Sequence, residues 1–311
     1  MSDLIELDPQ DQDSRNAMRE EIRKTSDRNR ARRQTISRAM VALCTLALIL
    51  AAVPLVLLIY QLIKQGASQI DWKFFTTVPE TPTLLDPTAT GGISNAIVGT
   101  LALTLYASVM AIPLGIIVGV YLAETQSKLA TTLRVIAQTM AGAPSILMGL
   151  FAFSFIVHDL DVGFSAIAGA FALAVLMMPV IIISTEIAVR NVPNTLREAG
   201  LALGAKSHTV SLKVVLPSAL TGIVTGVILA ISRAIGETAP VLLVIGGGFI
   251  DAWKPTTPVA AMPLAIYENA KSEWPSQRAQ VWGIALVLVA FVFILSLSAR
   301  IWASRKQQVR N

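Results

Sequence analysis

The sequence predicts an all-α membrane protein with six transmembrane helices and both termini in the cytoplasm, from its composition, its apolar segments and its distribution of positive charge. Of the 311 residues, 54% are hydrophobic and only 14% are charged. An average soluble domain has about 25% charged residues, so this chain lacks the charged surface that keeps a protein of its size in water. The net charge of +5 comes from basic residues at the ends of apolar segments. This pattern indicates orientation in a bilayer and not a nucleic-acid-binding face.

Six apolar segments reach or approach the length needed to cross a bilayer. A hydrocarbon core of about 30 Å requires about 20 apolar residues in a helix, because a backbone in lipid must satisfy its own hydrogen bonds. The predicted spans are residues 39–63, 93–122, 135–157, 162–185, 214–245 and 279–299. The predicted organisation is a charged tail (1–38), a first transmembrane helix (39–64), an external segment (65–92), a core with five helices and a cytoplasmic loop at 190–217 (93–303), and a second tail (304–311).

The distribution of lysine and arginine predicts the orientation of these spans. Nineteen of them lie in the two tails and in the loops that follow the second and fourth spans, and five lie in the opposite loops. Because positive charge concentrates on the cytoplasmic side, both termini are expected there. The N-terminal tail mixes acidic and basic residues, so we expect it to be solvated, partly helical and close to anionic lipid headgroups. The external segments 65–92 and 246–278 are long enough to contact another molecule.

The third predicted span contains a strong helix-breaking sequence. Residues 141–145 are Ala-Gly-Ala-Pro-Ser. Proline within a span usually produces a kink whose freed carbonyl is satisfied by neighbouring groups. Transporters also place such discontinuities near their pathways, so both interpretations stay open.

The cytoplasmic loop 190–217 predicts a short amphipathic helix. Pro193 is a plausible start and Gly204 a plausible end, which places the helix at 195–203, before a turn and a second short helix that leads into the fifth span. Apolar residues recur at three- and four-residue spacing along one face: Leu196, Ala199 and Leu203. A helix of this kind lies on lipid or binds a partner.

The same loop resembles that of ABC-importer permeases. The family pattern is Glu-Ala-Ala, three residues, a glycine, nine residues, and then hydrophobic-x-Leu-Pro. This chain matches it with glycine in place of the second alanine, through Glu198, Ala199, Gly200, Gly204, Leu216 and Pro217. The resemblance implies the type I (MetI-like) permease fold and a coupling helix that sits in a cleft of an ATP-hydrolysing subunit. A short rigid helix suits this role because it transmits a rigid-body movement to the spans it joins.

A phosphate-binding loop is not predicted, although residues 200–207 contain two glycines, a lysine and a serine. That motif requires glycine directly before the lysine and a strand before the first glycine. Here Ala205 precedes Lys206, and the flanking segments are helical in pattern. We therefore expect this chain to bind no nucleotide and to have no catalytic residue. On the importer hypothesis, ATP and Mg²⁺ belong to a different subunit.

Two charges interrupt the fifth predicted span, Arg233 and Glu237. An arginine in the centre of a membrane helix costs about 2.5–3.5 kcal/mol on insertion scales, so it normally faces a partner or a water-filled cavity. The four-residue spacing places both charges on one helix face. They form either a self-contained ion pair that stabilises packing, or an anion path in which Glu237 positions the guanidinium. Arginine suits phosphate because its planar fork donates two parallel hydrogen bonds.

The segment around these charges is similar to high-affinity phosphate permeases of the Pst type. Residues 233–240 are Arg-Ala-Ile-Gly-Glu-Thr-Ala-Pro, and the Thr-Ala-Pro ending favours the PstA-like subunit. Residues 121–124 and 143–150 also resemble this subunit. The resemblance implies a phosphate pathway at Arg233, Glu237 and Thr238 and a location in the bacterial plasma (inner) membrane. The implied partners are a PstC-like second permease, two PstB-like ATP-binding subunits and an external PstS-like phosphate-binding protein.

Alternatives from other functional classes stay open. A related ABC permease for another oxyanion would keep the coupling loop, whereas an ATP-independent transporter or channel would need no ATPase partner. A metal site is not predicted, because the histidines at 158 and 208 lie in a solvated turn and in the coupling loop.

Overall fold

A computed structural model describes residues 9–248 and 253–308, and the backbone is helical over most of them. The chain divides into two compact units, residues 1–61 and 62–311. The first seven helices are α1 (Pro9–Gly66), α2 (Trp72–Thr76), α3 (Ser94–Glu124), α4 (Lys128–Ala141), α5 (Ser145–Ala152), α6 (Ala166–Arg190) and α7 (Asn194–Ala202). The others are α8 (Ser207–Val210), α9 (Leu216–Ile235), α10 (Ala239–Leu242), α11 (Met262–Ala270) and α12 (Pro275–Gln308). Short π-helical segments, Phe153–Asp159 and Ser211–Val215, follow α5 and α8.

Within residues 9–248 and 253–308, five helical stretches are long and apolar enough to cross a membrane, and a sixth span results if one bent pair is counted as a single crossing. The five are Arg33–Gln69, Ser94–Glu124, Ala166–Arg190, Ser207–Ile235 and Pro275–Ser298. The bent pair is Lys128–Ala141 with Ser145–Asp159. The predicted all-α membrane architecture is therefore confirmed.

The third predicted span, 135–157, is two helices and not one continuous helix. The chain bends by 106° between α4 and α5. Pro144 has an extended backbone conformation, with φ −57° and ψ 131°. Proline disfavours a helical conformation in the residue before it and has no N–H to donate. The break predicted from residues 141–145 is thus confirmed.

The fifth predicted span, 214–245, also ends earlier than expected. Helix α9 stops at Ile235, and Gly236 and Glu237 donate their backbone N–H groups to the carbonyls three residues earlier. Such bonds tighten the last turn of a helix. Pro240, within the first turn of α10, cannot donate to a continuing helix. The predicted span continued to residue 245 because the sequence there is apolar, whereas backbone hydrogen bonding ends the helix at Ile235.

Helix α6 is the buried centre of the second unit, and α3 packs closely against it. Two glycines of α3 four residues apart, Gly115 and Gly119, face α6. A Cβ added to Gly115 would lie 2.8 Å from the Cβ of Ile181, and one added to Gly119 would lie 2.6 Å from the Cβ of Thr185. Both distances are below van der Waals contact, so glycine lets the backbones approach as in other small-xxx-small helix pairs.

Helix α9 packs against α6 through a second glycine pair, Gly222 and Gly226. A Cβ on Gly222 would lie 2.7 Å from the Cβ of Ala188, and one on Gly226 would overlap the Cβ and Oγ of Ser184. In the first part of α6, every second residue is a buried alanine, at positions 166, 168, 170, 172 and 174. Small residues therefore bring α3, α6 and α9 into one tightly packed group.

Candidate functional site

The loop 190–217 contains the predicted short helix, α7, with bounds one residue earlier than expected. Pro193 precedes it in an extended conformation, with φ −55° and ψ 136°. After α7 ends, Gly204 has φ +79°, a left-handed conformation that glycine adopts without steric cost. Helix α8 then leads through the π-helical segment into α9. The predicted sequence of helix, turn and second helix is therefore confirmed.

The predicted apolar face of α7 is exposed. Leu196 and Leu203 are 42% and 89% exposed, and Ala199 and Glu198 are also exposed. The helix contacts its own chain through Gly200, where a Cβ would lie 3.0 Å from Cγ2 of the buried Val210. Gly200, which departs from the family pattern, therefore packs against the chain. The predicted apolar face of Leu196, Ala199 and Leu203 is exposed.

Leu216 and Pro217 form the start of α9, with proline in its first turn. Proline has no N–H to donate, and the π-helical segment Ser211–Val215 continues directly into α9. Both residues are half-buried. The buried valines 210 and 215 lie in the same apolar cluster as residues of α6 and α9, which attaches the loop to the end of the helix group.

A carboxylate at the end of α3 contacts this loop at two points. Glu124 Oε1 accepts a hydrogen bond from Arg197 Nη1 of α7, at 2.5 Å, and its Oε2 accepts one from Ser211 Oγ, at 2.9 Å. Arg197 Nη2 also donates to the carbonyl of Val189, near the end of α6, at 3.2 Å. Arg197 therefore joins α7 to the ends of two long helices.

A second ionic cluster lies at the same end of the molecule. The carboxylate of Glu186, a residue with only 7% exposure, pairs with Arg134 Nε at 2.8 Å and with Arg190 Nη2 at 2.9 Å. Both arginines also donate to the carbonyl of Leu122, at 3.1 and 3.2 Å. That carbonyl is one of the last in α3, which have no partner within the helix. The cluster thus joins α4 and α6 to the end of α3.

Neither cluster was anticipated among the candidate site residues, although both contain charges beside apolar segments. Glu186 directly follows the fourth predicted span, and Glu124 lies two residues after the end of the second. Carboxylates at the ends of two spans, with basic residues in the intervening loops, are a usable signal for a polar network.

The Arg233–Glu237 pair lies near the other end of α9. Arg233 Nε is 3.2 Å from Glu237 Oε1, and the two side chains are 45% and 18% exposed. Arg233 is in the last turn of α9, where the helix dipole favours a positive charge. The two charges are paired, as one of the two sequence interpretations predicts, but Glu237 lies two residues past the end of α9, so the pair is not on one helix face. Thr238 follows directly, and its carbonyl accepts from the N–H of Leu242 at 2.9 Å.

The short helix after the pair, α10, packs against the second half of the broken third span. Gly149 of α5 packs directly on Pro240, since an added Cβ would lie 2.6 Å from Cα of that proline. Helix α5 therefore packs against α10, which begins two residues after Glu237.

The two candidate sites lie at opposite ends of one helix. Pro217 and Arg233 are both in α9, which is continuous between them. At 1.5 Å per residue the separation is about 24 Å along the axis. A single continuous helix therefore connects the loop with Arg233.

Other sequence features form no site in the part of the chain that the structure describes. His158 Nδ1 lies 2.9 Å from Asp159 Oδ1, and both side chains are exposed. The described residues contain no group of three or more His, Cys, Asp or Glu that could hold a metal ion. Residues 200–207 begin inside α7 and do not follow a strand, so they lack the context of a phosphate-binding loop.

Comparison with known proteins identifies relatives over most of the chain. Residues 111–308 match the family described as binding-protein-dependent transport system inner membrane component. The chain is 33% identical over 277 residues to the phosphate transport system permease protein PstA of Haemophilus influenzae, covering 88% of this chain and 96% of the relative. It is 35% identical over 254 residues to the probable PstA of Methanocaldococcus jannaschii, covering 81% and 88%.

Solved structures share the fold. A chain of the MetNI methionine ABC transporter, solved in inward-facing conformations, superposes with a TM-score of 0.57 at 22% identity and covers 68% of this chain and 94% of that chain. A chain of a bacterial alginate ABC transporter has the same TM-score at 14% identity, covering 85% and 92%. The fold is thus that of MetI-like ABC-importer permeases. With the match over residues 111–308 and the PstA relatives, the chain belongs to the inner-membrane components of binding-protein-dependent transport systems, among the PstA permease proteins.

Proposed function

We propose that this chain is the permease subunit of an ATP-driven phosphate importer and forms the translocation pathway together with a second, PstC-like permease chain. One observation carries the proposal: continuous α9 joins a loop with an exposed apolar helix face to a half-exposed Arg233. The names of the PstA relatives support phosphate as the substrate.

Arg233, Glu237 and Thr238 are proposed to contact the substrate pathway. A guanidinium that is 45% exposed on a helix of membrane-spanning length is costly against lipid, so it faces water or another protein chain. Glu237 accepts a hydrogen bond from Nε of Arg233 and so fixes the orientation of the planar guanidinium. Because the fork donates parallel hydrogen bonds, it matches a tetrahedral oxyanion. Partial neutralisation by Glu237 keeps the anion weakly bound, which allows it to leave.

Helix α7 is proposed to dock on an ATP-hydrolysing subunit. Glu198 and two leucines of α7, at 196 and 201, are exposed, and so is Leu203 directly after the helix. An apolar face of this size fits a groove in a partner. Two PstB-like subunits would bind ATP and Mg²⁺, and this chain would contribute no catalytic residue. Glu198, Ala199, Gly200, Gly204, Leu216 and Pro217 would form the coupling element.

The remaining assignments follow from the same function. The chain would span the bacterial plasma (inner) membrane with both termini and α7 in the cytoplasm, as the positive-inside rule predicts. An external PstS-like protein would deliver phosphate to the opposite side. ATP binding would drive alternating access, with the glycine-packed helices moving as a rigid group.

Uptake of radiolabelled phosphate tests the proposal. Cells that lack this chain are compared with cells that produce it, with sulfate and molybdate as competitors. We expect uptake that requires the chain, is unaffected by either competitor, and falls sharply in Arg233→Ala. Co-purification of the ATPase subunits with the Arg233→Ala variant shows whether lower uptake results from the missing arginine or from failed assembly.

Three results contradict the proposal in different ways. Competition by sulfate or molybdate would favour another oxyanion. Failure to co-purify any ATPase subunit would favour an ATP-independent transporter. Unchanged phosphate uptake in Arg233→Ala would exclude its pathway role while leaving the importer assignment in place.

A further inference from the structure

The carboxylate of Glu124 is the point at which α3 contacts both halves of the coupling loop. Its Oε1 accepts from Arg197 of α7, before the Gly204 turn, and its Oε2 accepts from Ser211, after that turn. The side chains of Glu124 and Arg197 are each only 22% exposed. Charge-assisted hydrogen bonds of this kind are shorter and stronger than neutral ones, and more so when shielded from water.

Arg197 extends this contact to a second long helix. While Nη1 pairs with Glu124, Nη2 donates to the carbonyl of Val189 at 3.2 Å. Val189 lies in the last turn of α6, where carbonyls have no partner within the helix. One guanidinium on α7 therefore binds the ends of α3 and α6 together.

The position of Glu124 is unfavourable for α3 alone. It is the last residue of that helix, and a negative charge at a helix C-terminus is repelled by the partial negative charge of the helix dipole. The side chain therefore does not serve the stability of its own helix. Its favourable interactions are with the loop, through Arg197 and Ser211.

The end of α3 is itself held in place. Arg134 and Arg190 both donate to the carbonyl of Leu122, two residues before Glu124, and both pair with the buried carboxylate of Glu186. A force applied to Glu124 is thus received by α3, α4 and α6 together.

We propose that Glu124 is a positioning residue for coupling: it binds α7 and the segment after it to the end of α3, so that a displacement of α7 moves α3 as well as α9. This inference rests on the proposed importer function. Without Glu124, the covalent connection through α8 would still reach α9, but α3 would no longer follow α7 directly.

The alternative is that apolar packing alone holds the loop. Gly200 lies against Val210, and valines 189, 192, 210 and 215 form a buried cluster there. Such contacts are non-directional and depend on apolar area, so they survive a change of Glu124 to glutamine. The two explanations therefore give different results for an isosteric substitution.

The test compares Glu124→Gln, Arg197→Gln and the charge-exchanged double variant Glu124→Arg with Arg197→Glu, in the whole transporter reconstituted in proteoliposomes. Asp159→Asn, which removes an acid from an exposed pair, is the matched control. Two quantities are measured: phosphate transported per ATP hydrolysed, and hydrogen exchange of the amides of residues 194–203.

In both single variants we expect a lower transport-to-hydrolysis ratio and roughly tenfold faster exchange in α7, from the loss of a charged hydrogen bond. Assembly should be unchanged, and the double variant should recover part of both quantities. The control should match the unmodified transporter. A wild-type ratio with wild-type exchange in Glu124→Gln would overturn the inference. If the unmodified complex transports no phosphate, the proposed function fails instead, and the exchange measurement still tests the contact.

Discussion

The close packing of α3 on α6 can be tested by adding one methyl group at Gly119. In Gly119→Ala the new Cβ would lie 2.6 Å from the Cβ of Thr185 and 2.7 Å from the carbonyl oxygen of Ile182. Neither atom moves when a side chain changes rotamer, because both are fixed to the backbone of α6. The methyl group is therefore accommodated only if the two helices separate.

The expected cost follows from these distances. Carbon atoms pack favourably at about 3.5–4.0 Å, so the helices must move apart by about 1 Å. Overpacking of this kind costs about 1–3 kcal/mol. Alanine recovers about 1 kcal/mol relative to glycine through its higher helix propensity. Because two fixed atoms are hit at once, we place the cost at the upper end and expect a net loss of about 2 kcal/mol.

The measurement is unfolding of the purified transporter in detergent, with Gly142→Ala as the matched control. Gly142 has φ −92°, and an added Cβ would have as its nearest neighbour the carbonyl oxygen of Thr139, at 3.7 Å. This substitution should be neutral or slightly stabilising, since it reduces the entropy of the unfolded chain. If Gly119→Ala is as stable as Gly142→Ala, then steric contact does not determine the spacing of α3 and α6.

Two further predictions concern ionisable groups. Glu186→Ala leaves the guanidinium groups of Arg134 and Arg190 without their buried carboxylate, so the transporter should lose about 3 kcal/mol in the same unfolding assay, and equal stability would contradict a structural role. Burial raises the pKa of Glu268, a residue outside the candidate spans. Its stabilising contribution is therefore complete below the pKa of an unfolded glutamate and is lost as pH rises through the raised value. Glu268→Gln should flatten the pH dependence of unfolding above about pH 4, and an unchanged profile would contradict this.

Hydropathy predicted most of the fold because membrane helices are specified by composition. The predicted span 93–122 agrees with α3 (Ser94–Glu124) to within two residues at each end, and a charged residue, Glu124, ends the uncharged segment there. The error at α9 has a physical cause: residues 239–245 are apolar although the backbone leaves the helix at Gly236. Helix ends depend on hydrogen bonding, which average apolarity does not register.

The site was only partly predictable because much of it consists of contacts between distant segments. The loop helix and its glycine end follow from local signals, at Pro193 and Gly204. The pairing of Arg134 with Glu186 joins residues 52 positions apart, and no periodicity within one helix indicates such a contact. The four-residue spacing of Gly115 and Gly119 is typical of a helix-packing motif, but the sequence does not indicate that α6 is the helix it contacts.

The exposed leucines of α7 also bear on how the protein is made. If an ATP-hydrolysing subunit docks on α7 as proposed, a copy inserted into the membrane without that subunit presents Leu196, Leu201 and Leu203 to water. Exposed apolar side chains in a group favour aggregation and recognition by proteases and chaperones. We therefore expect orphan copies to be degraded, so that the cellular amount of this chain follows that of the subunit that covers α7.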